Sequence, residues 1–192
     1  MSELPGDEVS VTAPPTPVDS TAHELSDEMA LIVQDFVRSV ETVAAGGLGD
    51  TAISLLLMQT AQLAAHGARL GAVTDIVPEG RYEPDNGQEP EVDGLRLSLI
   101  EVFAHADNYH TVDDPYFPMP EIVESSLSDD LSSIVTDLLH GLGHYAAGRP
   151  IEALWWWKYA YLSSWGEDVL NAQVALRSMI SHLRLDLETQ TT

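Results

Sequence analysis

Apolar residues recur at helical spacing through most of this chain. Leu25, Met29, Ile32, Val33, Phe36, Val40 and Val43 form one stripe, because residues three and four apart share a helix face. Thr21-Ala22-His23-Glu24 fits a capping box, in which the Thr and Glu side chains satisfy the free N–H groups of a helix start. A first helix is therefore expected from Thr21 to about Ala45. Gly46-Gly47-Leu48-Gly49 ends it, and Asp50 can cap a second helix from Thr51 to about Leu70. So short a connection makes the two an antiparallel hairpin. A third helix is expected from Gly94 to about Asn108, with Leu95, Leu99, Val102, Phe103 and Ala106 on one face. Ser128 can cap a fourth that runs to about Ala147, and Asp129 and Asp130 favour its positive end. Gly148 supplies a left-handed stop, and Pro150 opens a fifth helix that ends near Ser163. After a break at Gly166, a sixth spans roughly Glu167 to Leu187. No segment alternates convincingly with the period of a strand. The expected fold is all-α, a bundle of about six helices.

Residues 1–20, rich in Pro, Ser, Thr and acids, are expected to form a disordered tail. Residues 21–188 then form one helical domain, and 189–192 a short C-terminal tail. Between Asp75 and Asp93, Pro78, Pro84, Pro90 and a run of acids predict an exposed loop. Tyr109 to Pro118, aromatic, acidic and proline-punctuated, reads as a second loop whose rings can dock onto the core.

Charge changes the picture most. The chain has 31 acids against 8 bases, a formal net charge of −23. Such a surface repels nucleic acid and anionic lipid, and it favours a protein partner with basic surface. Absence of cysteine excludes disulfides, thiolate metal sites and cysteine nucleophiles. The acidic first residues lack the apolar core of a signal peptide, and the apolar stretch from Ala52 to Ala65 is too short and too polar to span a bilayer. A cytoplasmic location is expected, and no cofactor motif is present.

Candidate chemistry is sparse. Asp137, His140 and His144 lie at i, i+3 and i+7 and share a helix face. Two His one turn apart can chelate a divalent metal, and the Asp can complete the set. That would make the alternative a metal- or His-dependent enzyme. The same residues can equally be hydrogen-bonded core groups, since Gly141 marks this face for helix packing. Trp155, Trp156 and Trp157, with Trp165, crowd one region. Successive helical residues turn by about 100°, so three adjacent tryptophans cannot all face one core. Trp155, Trp156 and Trp165, with Tyr109, Tyr116, Asp113, Asp114 and Lys158, are the candidate interaction residues. Asp113, Asp114, Asp129, Asp130 and Asp137 could also gather around Lys158 and Arg149 as an ion network, or serve as caps and turn residues. A further alternative is an acidic mimic of nucleic acid, although the acids concentrate in tails and loops.

Three resemblances refine this reading. Gly141, Gly148, Ala153, Trp157 and Ala160 fall where a tetratricopeptide-type repeat places small or aromatic packing residues, so the fourth and fifth helices resemble one such hairpin. One unit cannot support an array, which implies a bundle containing a repeat-like hairpin. Arg177 and His182 resemble the Arg…His pair of small helical ribonucleases, in which His moves a proton and Arg stabilises phosphorane-like charge. More broadly, Asp107-x-Tyr109, Asp113-Asp114-Pro115-Tyr116, Ser128-Asp129-Asp130-Leu131, Asp137-Leu138, Gly141-Leu142, Tyr145-x-x-Gly148, Ala153-Leu154-Trp155-x-Trp157, Trp165-Gly166 and Ala175-Leu176-Arg177 resemble a bacterial domain-of-unknown-function family, numbered 5063 and frequent in actinobacteria. The resemblance implies an all-helical cytoplasmic domain without an assigned activity. It also implies departures at Ser164 and Asp168, where relatives carry His, and at Lys158, where they carry Arg.

Overall fold

The structure, a computed structural model, describes residues 17–49, 51–72, 76–78, 90–113 and 115–189. The expected N-terminal tail up to residue 16, the caps at Asp50 and the acidic loop over 79–89 lie outside them. Six α-helices run in the order α1 (Pro17–Ala44), α2 (Thr51–Ala72), α3 (Asp93–Phe103), α4 (Leu127–Ala146), α5 (Pro150–Ser163) and α6 (Trp165–Thr189). Two short strands, β1 (Asn108–Val112) and β2 (Ile122–Ser126), stand between α3 and α4.

The helical stripes do what their spacing demands. Met29, Val33, Phe36, Val40 and Val43 of α1 are buried against Leu56, Leu63 and Leu70 of α2 and Leu131, Ile134 and Leu138 of α4, in one continuous core. α6 closes the bundle with Val169, Ala172 and Leu176. None of the helices described is long and apolar enough to cross a membrane. α1 begins at Pro17, four residues before the expected cap, because Pro is well suited to a first helical position. Part of the expected tail is therefore helical. α4 and α5 meet where expected. Gly148 adopts φ +75°, and the N–H groups of Gly148 and Arg149 bond back to Tyr145 and His144, which stops α4 and lets Pro150 start the next helix.

The expectation that no strand forms is corrected here. α3 stops at Phe103 rather than Asn108, and Ala104 takes φ +48°, a conformation that ends a helix. After a 3-10 turn at Ala104–Ala106, β1 pairs antiparallel with β2, Asn108 opposite Ser126 and Val112 opposite Ile122. Tyr109 and Thr111 lean inward while His110 and Val112 point out. A ribbon of five-residue strands carries too few alternations to stand out from its loop. The period is present in β1 alone, and there it is too short to read.

The hairpin also moves the cap of α4. Ser126, not Ser128, occupies that position, its hydroxyl accepting the Asp129 N–H at 3.2 Å. Asp107 secures the same end from the far side of the ribbon. Its carboxylate accepts the Ser128 N–H at 2.8 Å and the Ser128 hydroxyl at 2.6 Å, and its carbonyl accepts the Leu127 N–H at 3.0 Å. Replacing Asp107 by Ala strands a buried N–H at this terminus, so a loss of about 1–2 kcal/mol is expected in chemical denaturation. Asp107→Asn, which keeps one acceptor, should recover part of it.

Candidate functional site

His140 and His144 meet Trp156 at the seam between α4 and α5, where Trp157 also packs, and Gly141 sets its width. A Cβ at Gly141 would overlap the indole of Trp157, so only Gly lets the two helices approach this closely. The Trp157 N–H donates to the Leu138 carbonyl at 3.0 Å, and the Trp156 N–H to the Asp137 carbonyl at 3.1 Å. A third indole, Trp165, donates to the Trp157 carbonyl at 3.1 Å and is completely buried. Its place as a surface anchor is thereby corrected: the turn at Ser164 points it into the core. Trp156 is half-buried, edge-on to His140 with ring centroids 5.4 Å apart. Trp155 stacks on the exposed Tyr159 at 5.2 Å, with Lys158 beside them in a shallow depression.

Asp137, His140 and His144 do share one face, and that face is packed. His144 is only 3% exposed; its Nδ1 lies 3.2 Å from Glu152, which also holds Arg149 at 2.7 Å. Burial, with the nearby Arg149 charge, lowers the pKa of His144 despite Glu152. Burial raises the pKa of Asp137 against hydrogen bonds from the Ser164 side chain and the Trp165 backbone N–H. One oxygen of Asp137 and Nε2 of His144 have no partner. A His oriented by a carboxylate is the usual pairing of a general base, but here the ring is sealed beneath Trp156. Among the described residues, no three His, Asp or Glu side chains converge tightly enough to hold a metal ion.

The imagined ion network separates into local pairs. Asp129 pairs with Arg96 on α3, which holds its carboxyl below the ordinary range. Asp130 accepts hydrogen bonds from the Tyr109 phenol and from Ser125, the latter at 2.8 Å. Burial is the chief cause that pushes Asp130 up to about 6 and Tyr109 well above its usual value. Asp168, raised by burial despite a bond from Ser133, adds like charge to Asp130. Arg149 belongs to Glu152. Asp113 is exposed at the base of the hairpin loop, and Asp114 lies outside the described residues. The contacts that Asp107, Arg96, Glu152 and Asp168 make with other elements have no local signature in the sequence.

The seam thus stiffens the bundle, and the open chemistry lies elsewhere, on the hairpin. Tyr116 is 94% exposed at its tip, with Phe117, Met119 and Ile122 exposed beside it. Arg177 and His182 are both exposed on α6.

Fold and seam together define a six-helix bundle carrying a small β-ribbon. A family model described as a domain of unknown function (DUF5063) matches residues 19–182, and the chain belongs to that family. The crystal structure of protein BF1032 from Bacteroides fragilis is similar, with a TM-score of 0.63 and 18% identity over 79% of this chain and 89% of that one. At that identity the likeness is one of fold. No curated protein matches the sequence.

Proposed function

We propose that this chain is a non-enzymatic interaction module that grips a basic protein partner with the β1–β2 hairpin. The observation that carries this reading is the exposed cluster of Tyr116, Phe117, Met119 and Ile122 at the hairpin tip. Soluble proteins rarely leave so contiguous an apolar group in water unless something covers it. Pro115, Pro118 and Pro120 remove backbone donors from the loop, which discourages pairing with another strand edge and favours side-chain contacts. Asp113, Glu121 and Glu124 flank the tip and are exposed. An apolar pocket rimmed by Lys and Arg is the complementary surface: the aromatics would hold the complex and the charge would speed encounter. The actinobacterial, cytoplasmic setting and the repeat-like character of α4–α5 belong to this proposal too; the Gly141–Trp157 contact supports the last.

The test places a photo-crosslinking residue at Phe117 in the living source cell, then reconstitutes the captured complex. Expected is a basic partner whose affinity falls at least tenfold with Tyr116→Ser and Phe117→Ser together, and falls as salt rises. Crosslinks only to a second copy of this chain, or affinity unmoved by the double substitution, would overturn the reading.

A further inference from the structure

The bundle holds a cavity of about 640 Å³ that opens to solvent. The α1–α2 turn, the end of α3 and the last turns of α6 enclose it, and its wall is mainly apolar: Val43, Ile53, Phe103 and Met179. Small-molecule sites commonly measure roughly 300–1,000 Å³ and combine such walls with a few polar groups. Here those groups are His105 and His182, together with the peptides of the glycine turn. Among the described residues that line it, none is Lys, Arg, Asp or Glu.

Two features show that the space is not simply left by imperfect packing. Ala104, which swings His105 and Ala106 into the wall, holds φ +48°. That conformation is costly for any residue with a Cβ, and such strain gathers at functional sites. Gly46, Gly47 and Gly49 also have positive φ, and a Cβ at any of them would meet nothing within 4 Å. Glycine at these positions leaves only peptide groups on that part of the wall. Met179 gives one wall a side chain that can repack around a guest.

We propose that this cavity binds an uncharged amphipathic small molecule, with an apolar body against Phe103 and Ile53 and one hydroxyl or carbonyl head at His105 and His182. The lining dictates the class. A carboxylate or phosphate would find no cation among the described lining residues and would face a chain of net charge −23. A quaternary ammonium would find no carboxylate among the described lining residues. A neutral head needs only the donors and acceptors that imidazole supplies.

The test titrates the full chain with Nile red, an uncharged apolar fluorophore, and then displaces it with decanol or decanoate at pH 7.5. Expected is saturable one-to-one binding, with decanol displacing at least tenfold more effectively than decanoate. Ile53→Trp, which fills the cavity, should weaken Nile red at least tenfold while the protein still melts cooperatively. Should that variant not fold, Leu183→Arg serves instead: Leu183 is 45% exposed at the mouth, so the charge can block entry without entering the core. Tyr116→Ser with Phe117→Ser should leave binding unchanged, which separates this site from the hairpin. Non-saturable uptake, equal displacement by decanoate, or indifference to both cavity variants would overturn the proposal.

Discussion

Gly141→Ala is expected to destabilise the protein by about 3 kcal/mol, although Ala is the better helix former by roughly 1 kcal/mol. The added methyl would occupy the space of the Trp157 indole. That ring cannot give way cheaply, being fully buried and fixed by its hydrogen bond to the Leu138 carbonyl at 3.0 Å. The helices must separate or the indole must leave its rotamer, and either forfeits dense contact along α4–α5. For a chain of this size each kcal/mol moves Tm by roughly 2–4 °C, so a fall of roughly 6–12 °C should appear in a thermal melt. Trp157→Phe alone costs buried area and the hydrogen bond. Combined with Gly141→Ala it should cost less than the sum of the two, because the smaller ring makes room. A Gly141→Ala protein that melts at or above the parent would show that Gly141 does not set the helix spacing.

This same contact explains what the sequence made legible. Gly141, Ala153, Trp157 and Ala160 are small and large residues placed on facing helices, and both helices are continuous in the chain. A local pattern therefore sufficed to place the seam, as it did for the stripe of α1. Where contacts join distant segments, no local pattern existed. Asp107 caps α4 from across the ribbon, Arg96 reaches Asp129 from α3, and Ser26 donates to the Pro150 carbonyl at 2.9 Å from the far end of the chain. The histidines illustrate the intermediate case. Their shared face was readable from spacing, but its sealing was not, because Trp156 and Glu152 cover it from the next helix. Trp165 is hidden from the local pattern for the same reason: a single residue, Ser164, separates α5 from α6, and the indole is buried.

Asp130→Asn is expected to stabilise the protein near neutral pH and to change little near pH 4. Burial raises the Asp130 carboxyl from its ordinary 3.8 to about 6, outweighing the bonds from Tyr109 and Ser125, while Asp168 and Asp129 add like charge. In the unfolded chain the group loses its proton near 3.8, so between about 4 and 6 the folded protein holds the proton more tightly. Stability from this group is therefore fully present below that window and declines as pH rises through it. Asp137 and Asp168, also raised by burial, act in the same direction. His144 acts oppositely: its lowered pKa means that acid protonates the unfolded chain first, and stability is lost as pH falls. Comparing Asp130→Asn with the parent at each pH cancels Asp137 and His144, while relief of the repulsion on Asp168 adds to the gain. Asn can still accept from Tyr109 through its carbonyl and donate to Ser125 through its amide, so the local bonds survive while the buried charge disappears. The gain at pH 7.5 should be on the order of 2 kcal/mol, seen as a Tm difference of roughly 4–8 °C that shrinks towards zero by about pH 4. A difference that stays constant across that range would mean that Asp130 keeps an ordinary carboxylate's affinity for its proton, and that the Tyr109–Ser125 cradle fully compensates its burial.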